Sequence, residues 1–178
     1  MPNLLKYIKS YPDFPKKGII FRDISPLLAD PEAFASAIDA LATHAKTMPR
    51  FDKIVAIDAR GFILGGALAD RLHKGLIMSR KPAKLPGDLS IEKYGYEYSR
   101  DAMTIQKQAI KTSEKFLIVD DVLASGNTIL AAYKLINRLG GKVAGILCLL
   151  ELEYLHGRQF LQENIKDAVV TTVLSLDN

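Results

Sequence analysis

Five short apolar runs punctuate the chain: Ile54 to Ile57, Leu76 to Met78, Phe116 to Val119, Val143 to Leu150 and Val169 to Leu174. Four of them lack alternation, the pattern of strands buried on both faces of a parallel sheet. Between the runs the period becomes helical. Phe62 to Leu72 and Thr128 to Leu139 place apolar residues near i, i+3, i+4 and i+7, and Gly140-Gly141 stops the second. Strands alternating with helices predict an α/β chain, a central, mainly parallel sheet flanked by helices with right-handed crossovers.

Two segments break the pattern. Residues 1–30 carry Pro2, Pro12, Pro15, Gly18 and Pro26 and predict an irregular N-terminal hood over the sheet. Residues 81–100 form a polar, aromatic and Gly/Pro-marked excursion whose length is that of a lid or binding loop. With no internal repeat, low-complexity tract or linker, residues 1–178 are expected to form a single domain.

Ligands of open α/β sheets bind beyond the carboxyl ends of the strands. At one such end the run Phe116 to Val119 meets Asp120-Asp121, then Val122-Leu123-Ala124-Ser125-Gly126-Asn127-Thr128, with a helix opening at Ile129. A strand, a small-residue loop and a helix start aim backbone N–H groups and the helix dipole at one point, an anion cradle. The carboxylates repel an anion and accept hydrogen bonds only, so sugar hydroxyls are their natural partners. Adjacent strand residues point to opposite sides, which argues against a dyad sharing one proton and for two separate acceptors. Asp is also a preferred helix cap, and the loop alone fits an ordinary strand-to-helix connection. A phosphate nest beside a diol clamp points to a ribose 5-phosphate.

A second strand end carries Asp58-Ala59-Arg60-Gly61, and a third carries Arg80, Lys81 and Lys84. Arg binds a diphosphate bidentately and Lys as a point charge, although each alone also fits a solvated surface. The net charge of +4 suits an anionic ligand as well as simple solubility. No dense Lys/Arg run points to nucleic acid. The chain spells neither G-x-x-x-x-G-K-[ST] nor a strand-linked G-x-G-x-x-G, and Ser125 is not in G-x-S-x-G. His44, His73 and His156 have no metal-binding spacing. The single cysteine, Cys148, lies in an apolar run and reads as a buried small hydrophobe in a chain without an internal disulfide. No apolar run approaches a bilayer span, and the charged amino end does not read as a signal peptide. These features predict a soluble, cytoplasmic protein.

The loop Val119 to Gly126 resembles the signature of the type I phosphoribosyltransferases. Three further stretches resemble the adenine-using branch of that family: Tyr11-Pro12-Asp13-Phe14-Pro15 with Gly18 to Pro26; Asp58 to Phe62; and Arg80-Lys81 with Lys84-Leu85-Pro86-Gly87 and Tyr96-Glu97-Tyr98. The match runs from about residue 10 to about residue 160 in the family's order and spacing.

The resemblance implies the type I fold and transfer of the 5-phosphoribosyl group from phosphoribosyl pyrophosphate to adenine, giving AMP and pyrophosphate, with Mg²⁺ held mainly by substrate. It implies that Asp120 and Asp121 hold the ribose hydroxyls while Ala124, Ser125, Gly126, Asn127 and Thr128 cradle the 5-phosphate. Ala59, Arg60, Arg80, Lys81, Lys84 and Tyr98 would serve the pyrophosphate. Phe21 would stack on adenine, with Ile20 and Arg22 at its edge and Leu152 closing the other face. Glu97 would remove or relay the purine proton, with Arg60 and Lys84 adding positive charge at the leaving group. A homodimer is implied as well.

Two departures stand out. Ala59 replaces the usual Ser, and Asn127 stands where the family often has Gly, both implying altered affinity for phosphoribosyl pyrophosphate. The other readings are the same chemistry on hypoxanthine, guanine or xanthine, and a ligand sensor built on the same fold.

Overall fold

The computed structural model describes residues 3–94 and 101–177, and the chain divides into two units, Met1–Ala40 and Leu41–Asn178. Regular structure occupies much of the segment that the sequence predicts to be an irregular hood. A 3-10 turn at Leu4–Tyr7 leads into β1 (Lys9–Pro12), which pairs antiparallel with β2 (Ile20–Asp23). These strands were invisible to hydropathy because they are short and β1 is exposed along its whole length. Helix α1 (Ser25–Ala29) begins with Pro26 in its first turn, where a missing N–H costs nothing. The Asp30 carboxylate accepts from the N–H groups of Glu32 and Ala33 at 3.1 and 2.9 Å, opening α2 (Pro31–Thr47).

In the second unit the five apolar runs become one parallel sheet. Its strands are β3 (Lys53–Ile57), β4 (Gly75–Ser79), β7 (Lys115–Leu123), β8 (Lys142–Leu152) and β9 (Val169–Leu176), in the order β4-β3-β7-β8-β9. The intervening pair, β5 (Leu89–Lys93) and β6 (Ala102–Gln106), forms a separate antiparallel ribbon. Thus the 81–100 excursion is not all loop. In β5 Ser90 is buried and Ile91 faces solvent, the reverse of what hydropathy alone implies.

Central strands β3, β7 and β8 are buried almost end to end, while β4, at one edge, exposes Leu76 and Met78. That run is therefore not buried on both faces. Helix α3 (Gly61–Arg71) seats directly on β3, because a Cβ on Gly65 would stand only 2.6 Å from the Ala56 Cβ. Helix α4 (Asn127–Arg138) buries Ile129, Leu130, Leu135 and Ile136 in a core shared with Val55, Phe116, Ile118 and Ile146. Arg138 donates to the Ile91 carbonyl at 2.8 Å and pairs with Glu92, tying the β5–β6 ribbon to α4. Helix α5 (Gly157–Asn164) follows β8.

Candidate functional site

Three adjacent carboxyl ends, those of β3, β4 and β7, build the site in the second unit. Strand β7 runs through Asp120 and Asp121 to Leu123, so the acids lie within the strand rather than after it. Both are buried, at 7% and 6% exposure. The two carboxyls are close enough for each to bear on the other's charge. Asp120 Oδ1 also accepts from the Asp121 N–H at 2.9 Å. Burial and the neighbouring charge of Asp121 push the Asp120 carboxyl well above the usual carboxylate range. Burial raises Asp121 too, against the opposing pull of the Arg60 guanidinium. Arg60 Nε lies 2.7 Å from Asp121 Oδ2.

Behind this pair the backbone comes close. A Cβ on Gly61, the first residue of α3, would stand 2.9 Å from Asp120 Oδ1 and 3.2 Å from the Val119 carbonyl oxygen. Only a glycine lets the first turn of α3 lie over the acid. Just before it, the Asp58–Ala59 peptide is cis, and the Asp58 N–H donates to the Ser79 carbonyl at 2.9 Å. Arg80 Nε donates to Asp58 Oδ2 at 3.1 Å and Nη1 to the Lys84 carbonyl at 3.2 Å, while its guanidinium sits 5.4 Å from the Phe62 ring centre. The sequence marked Asp58 only as part of a strand end, and the structure makes it the orienting partner of Arg80. The Lys81 and Lys84 side chains are exposed.

Ala124, Ser125 and Gly126 form the loop, and the helix starts at Asn127, one residue before the stretch of helical period and two before Ile129. Gly126 takes the left-handed conformation, with φ at 81°, while Asn127 is helical and donates through Nδ2 to Ser125 Oγ at 3.0 Å. The loop and the first turn of α4 present backbone N–H groups together with the exposed Ser125 hydroxyl. This arrangement can take an anion beside two buried acceptors and two arginines. Leu152 ends β8, buried to 6%.

In the first unit Ile20, Phe21 and Arg22 lie on β2, and Arg22 Nη1 donates to Ser10 Oγ. Phe21 meets Phe14 edge to face with centroids 5.3 Å apart. The two rings line a cavity of about 440 Å³ with Tyr11, Pro12 and Asp13. Glu97 and Tyr98 lie outside the described residues.

The chain matches the family model of the phosphoribosyl transferase domain over residues 24–174. It is 52% identical over 163 residues to the adenine phosphoribosyltransferase of Thermosipho melanesiensis, covering 91% of this chain and 93% of that one. With the Pseudothermotoga lettingae adenine phosphoribosyltransferase it shares 49% identity over 173 residues, 97% of this chain and 99% of the relative. Among solved structures it is similar to adenine phosphoribosyltransferase from Thermoanaerobacter pseudethanolicus, with a TM-score of 0.90, 40% identity and coverage of 97% and 98% of the two chains. It is also similar to the Giardia lamblia APRTase complexed with 9-deazaadenine, with a TM-score of 0.89, 36% identity and coverage of 99% and 97%.

Proposed function

From the premise that the chain belongs to the phosphoribosyl transferase family, we propose a reaction at the β3–β4–β7 strand ends in which each group described there has a defined part. The protein is an adenine phosphoribosyltransferase of purine salvage, transferring the 5-phosphoribosyl group of phosphoribosyl pyrophosphate to adenine. The observation that carries the residue assignment is the junction of a buried acid pair with a glycine-turned loop at a helix start.

Asp120 and Asp121 accept from the ribose hydroxyls, and Ala124 to Thr128 hold the 5-phosphate through backbone N–H groups and the Ser125 and Thr128 hydroxyls. Ala59, Arg60, Arg80, Lys81, Lys84 and Tyr98 serve the pyrophosphate. Ile20, Phe21, Arg22 and Leu152 serve adenine. The bond between ribose carbon 1 and the pyrophosphate oxygen breaks, with its electron pair leaving on pyrophosphate. A new bond forms from N9 of adenine, and the N9 proton passes to Glu97. Carbon 1 carries oxocarbenium character in between, so Arg60 and Lys84 contribute most as the leaving group gains charge. The 81–100 segment, outside its β5 portion, acts as a lid that excludes water.

Among the described residues no cluster of three or more His, Cys, Asp or Glu is arranged to hold a metal. The Asp120–Asp121 pair fits Mg²⁺ carried mainly by substrate oxygens and water, since that ion commonly takes only one or two carboxylates from the protein. Bound with the diphosphate, Mg²⁺ offsets the charge of the leaving group. Ile63 on α3 and Leu76 and Met78 on edge strand β4 are 46%, 40% and 43% exposed, and a second copy of the chain covering them gives the homodimer. The fully buried thiol of Cys148 suits a reducing cytoplasm. Chromatography of a reaction with phosphoribosyl pyrophosphate, adenine and Mg²⁺ tests the scheme: AMP and pyrophosphate appear in equal amounts and a chelator stops both. Pyrophosphate release without AMP would reject it.

A further inference from the structure

The first turn of α5 meets the loop after β7 with no space for a side chain between them. A Cβ on Gly157 would stand 1.9 Å from the Ala124 carbonyl oxygen and 2.9 Å from its carbonyl carbon. From the opposite side, a Cβ on Gly126 would stand 3.2 Å from the Gly157 carbonyl oxygen and 3.1 Å from Phe160 and Leu161. Loop and helix therefore touch backbone to backbone.

The next residue holds that helix in place. Arg158 Nε donates to both Glu151 carboxylate oxygens, at 2.9 and 3.1 Å, and Nη2 donates to the same carboxylate. Nη1 donates to the Val170 carbonyl at 2.8 Å and Nη2 to the Thr172 hydroxyl at 2.9 Å, while that hydroxyl lies 2.9 Å from Glu151 Oε2. Glu151, on β8, is 5% exposed, and Val170 and Thr172 belong to β9. The planar fork of Arg158 is thus fixed by two sheet strands, which anchors Gly157 one residue away.

We propose that Gly157 and Arg158 are positioning residues for the 5-phosphate cradle. Gly157 admits the Ala124 carbonyl at a distance no side chain allows, and Arg158 locks α5 so that this contact sets where the loop's N–H groups point. The inference rests on the reading of Ala124 to Thr128 as the phosphate site. Neither residue touches substrate in this scheme. A Cβ at Gly157 forces loop or helix back by more than about 1 Å, a displacement that costs roughly a hundredfold where geometry is critical.

The test is competitive inhibition of the enzyme by ribose 5-phosphate and, separately, by pyrophosphate. Ribose 5-phosphate engages the cradle, and pyrophosphate engages the Ala59–Arg60 and Arg80 side of the site. In Gly157→Ala the inhibition constant for ribose 5-phosphate rises roughly ten- to a hundredfold, with KM for phosphoribosyl pyrophosphate rising alongside, while that for pyrophosphate stays within about twofold. Arg158→Lys keeps the charge but loses the fork, and shows the same selectivity at smaller size, which keeps the test decisive if Gly157→Ala does not fold. Unchanged ribose 5-phosphate inhibition, or equal weakening of both inhibitors, overturns the inference. Thr128→Val separates the two levels. Were it to leave ribose 5-phosphate binding untouched, the cradle reading itself would fall. Were it to weaken that binding while Gly157→Ala did not, only the positioning role would fall.

Discussion

Arg60 Nε stands 2.7 Å from Asp121 Oδ2, joining the loop after β3 to the acid pair inside β7. The cation makes the two acids unequal. Asp121 has a guanidinium to favour its charge, whereas Asp120 is dominated by burial and by the charge of Asp121. Asp120 is therefore the more readily protonated of the two acids, and Asp121 the one whose charge its surroundings favour.

Asp120→Asn separates stability from binding. The folded-state carboxyl of Asp120 titrates above its unfolded value, so the folded chain binds more protons in the interval between them. Stability from this group is therefore greatest below that interval, and is lost as pH rises through it. The amide removes the loss. By differential scanning calorimetry the variant melts above the wild type at pH 8, and the gap closes as pH falls into the usual carboxylate range. In the same variant KM for phosphoribosyl pyrophosphate rises. An unchanged KM would end the diol-clamp role.

Gly65→Ala tests the seat of α3. The added methyl must fit where 2.6 Å separates it from the Ala56 Cβ, and overpacking of this kind costs about 1–3 kcal/mol. Urea unfolding should show the loss at unchanged slope. Full stability would mean that α3 is free to shift outward.

Phe21→Ala removes the ring assigned to adenine. Stacking of a base on an aromatic side chain is worth about 1–3 kcal/mol, so KM for adenine rises roughly five- to 150-fold. KM for phosphoribosyl pyrophosphate stays near that of the wild type. A parallel rise in both constants would point to disruption of the β1–β2 hairpin instead.

Glu97→Gln keeps the size of the side chain and removes its basicity. Turnover falls by at least about tenfold, and by up to the roughly 10²–10⁴-fold that proton transfer typically contributes, and binding of phosphoribosyl pyrophosphate measured by calorimetry is retained. Near-normal turnover takes Glu97 out of the mechanism.

Much of the parallel sheet was legible because its strands are buried and so carry unbroken apolar runs. The strand ends were less so. Asp120 and Asp121 look like the start of a loop, yet they continue the ladder of β7 opposite β8, where Asp120 pairs with Cys148 in register. Polar residues tolerate a strand at this place because the strand ends in the site. The β1–β2 and β5–β6 pairs escaped notice for another reason. They are short, and in β5 it is Ser90 rather than Ile91 that turns inward. The acid, arginine and loop residues of the candidate site were all marked by their positions at strand ends. Gly157 was not, because its significance lies in a contact with Ala124, thirty-three positions away in the chain, that no local pattern encodes.

The most direct test is nucleotide formation from phosphoribosyl pyrophosphate and Mg²⁺ with adenine, hypoxanthine, guanine and xanthine supplied one at a time, followed by chromatography. The account predicts AMP from adenine and no nucleotide from the three oxopurines. Turnover of an oxopurine in place of adenine, or no product from any base while phosphoribosyl pyrophosphate still binds, would contradict it.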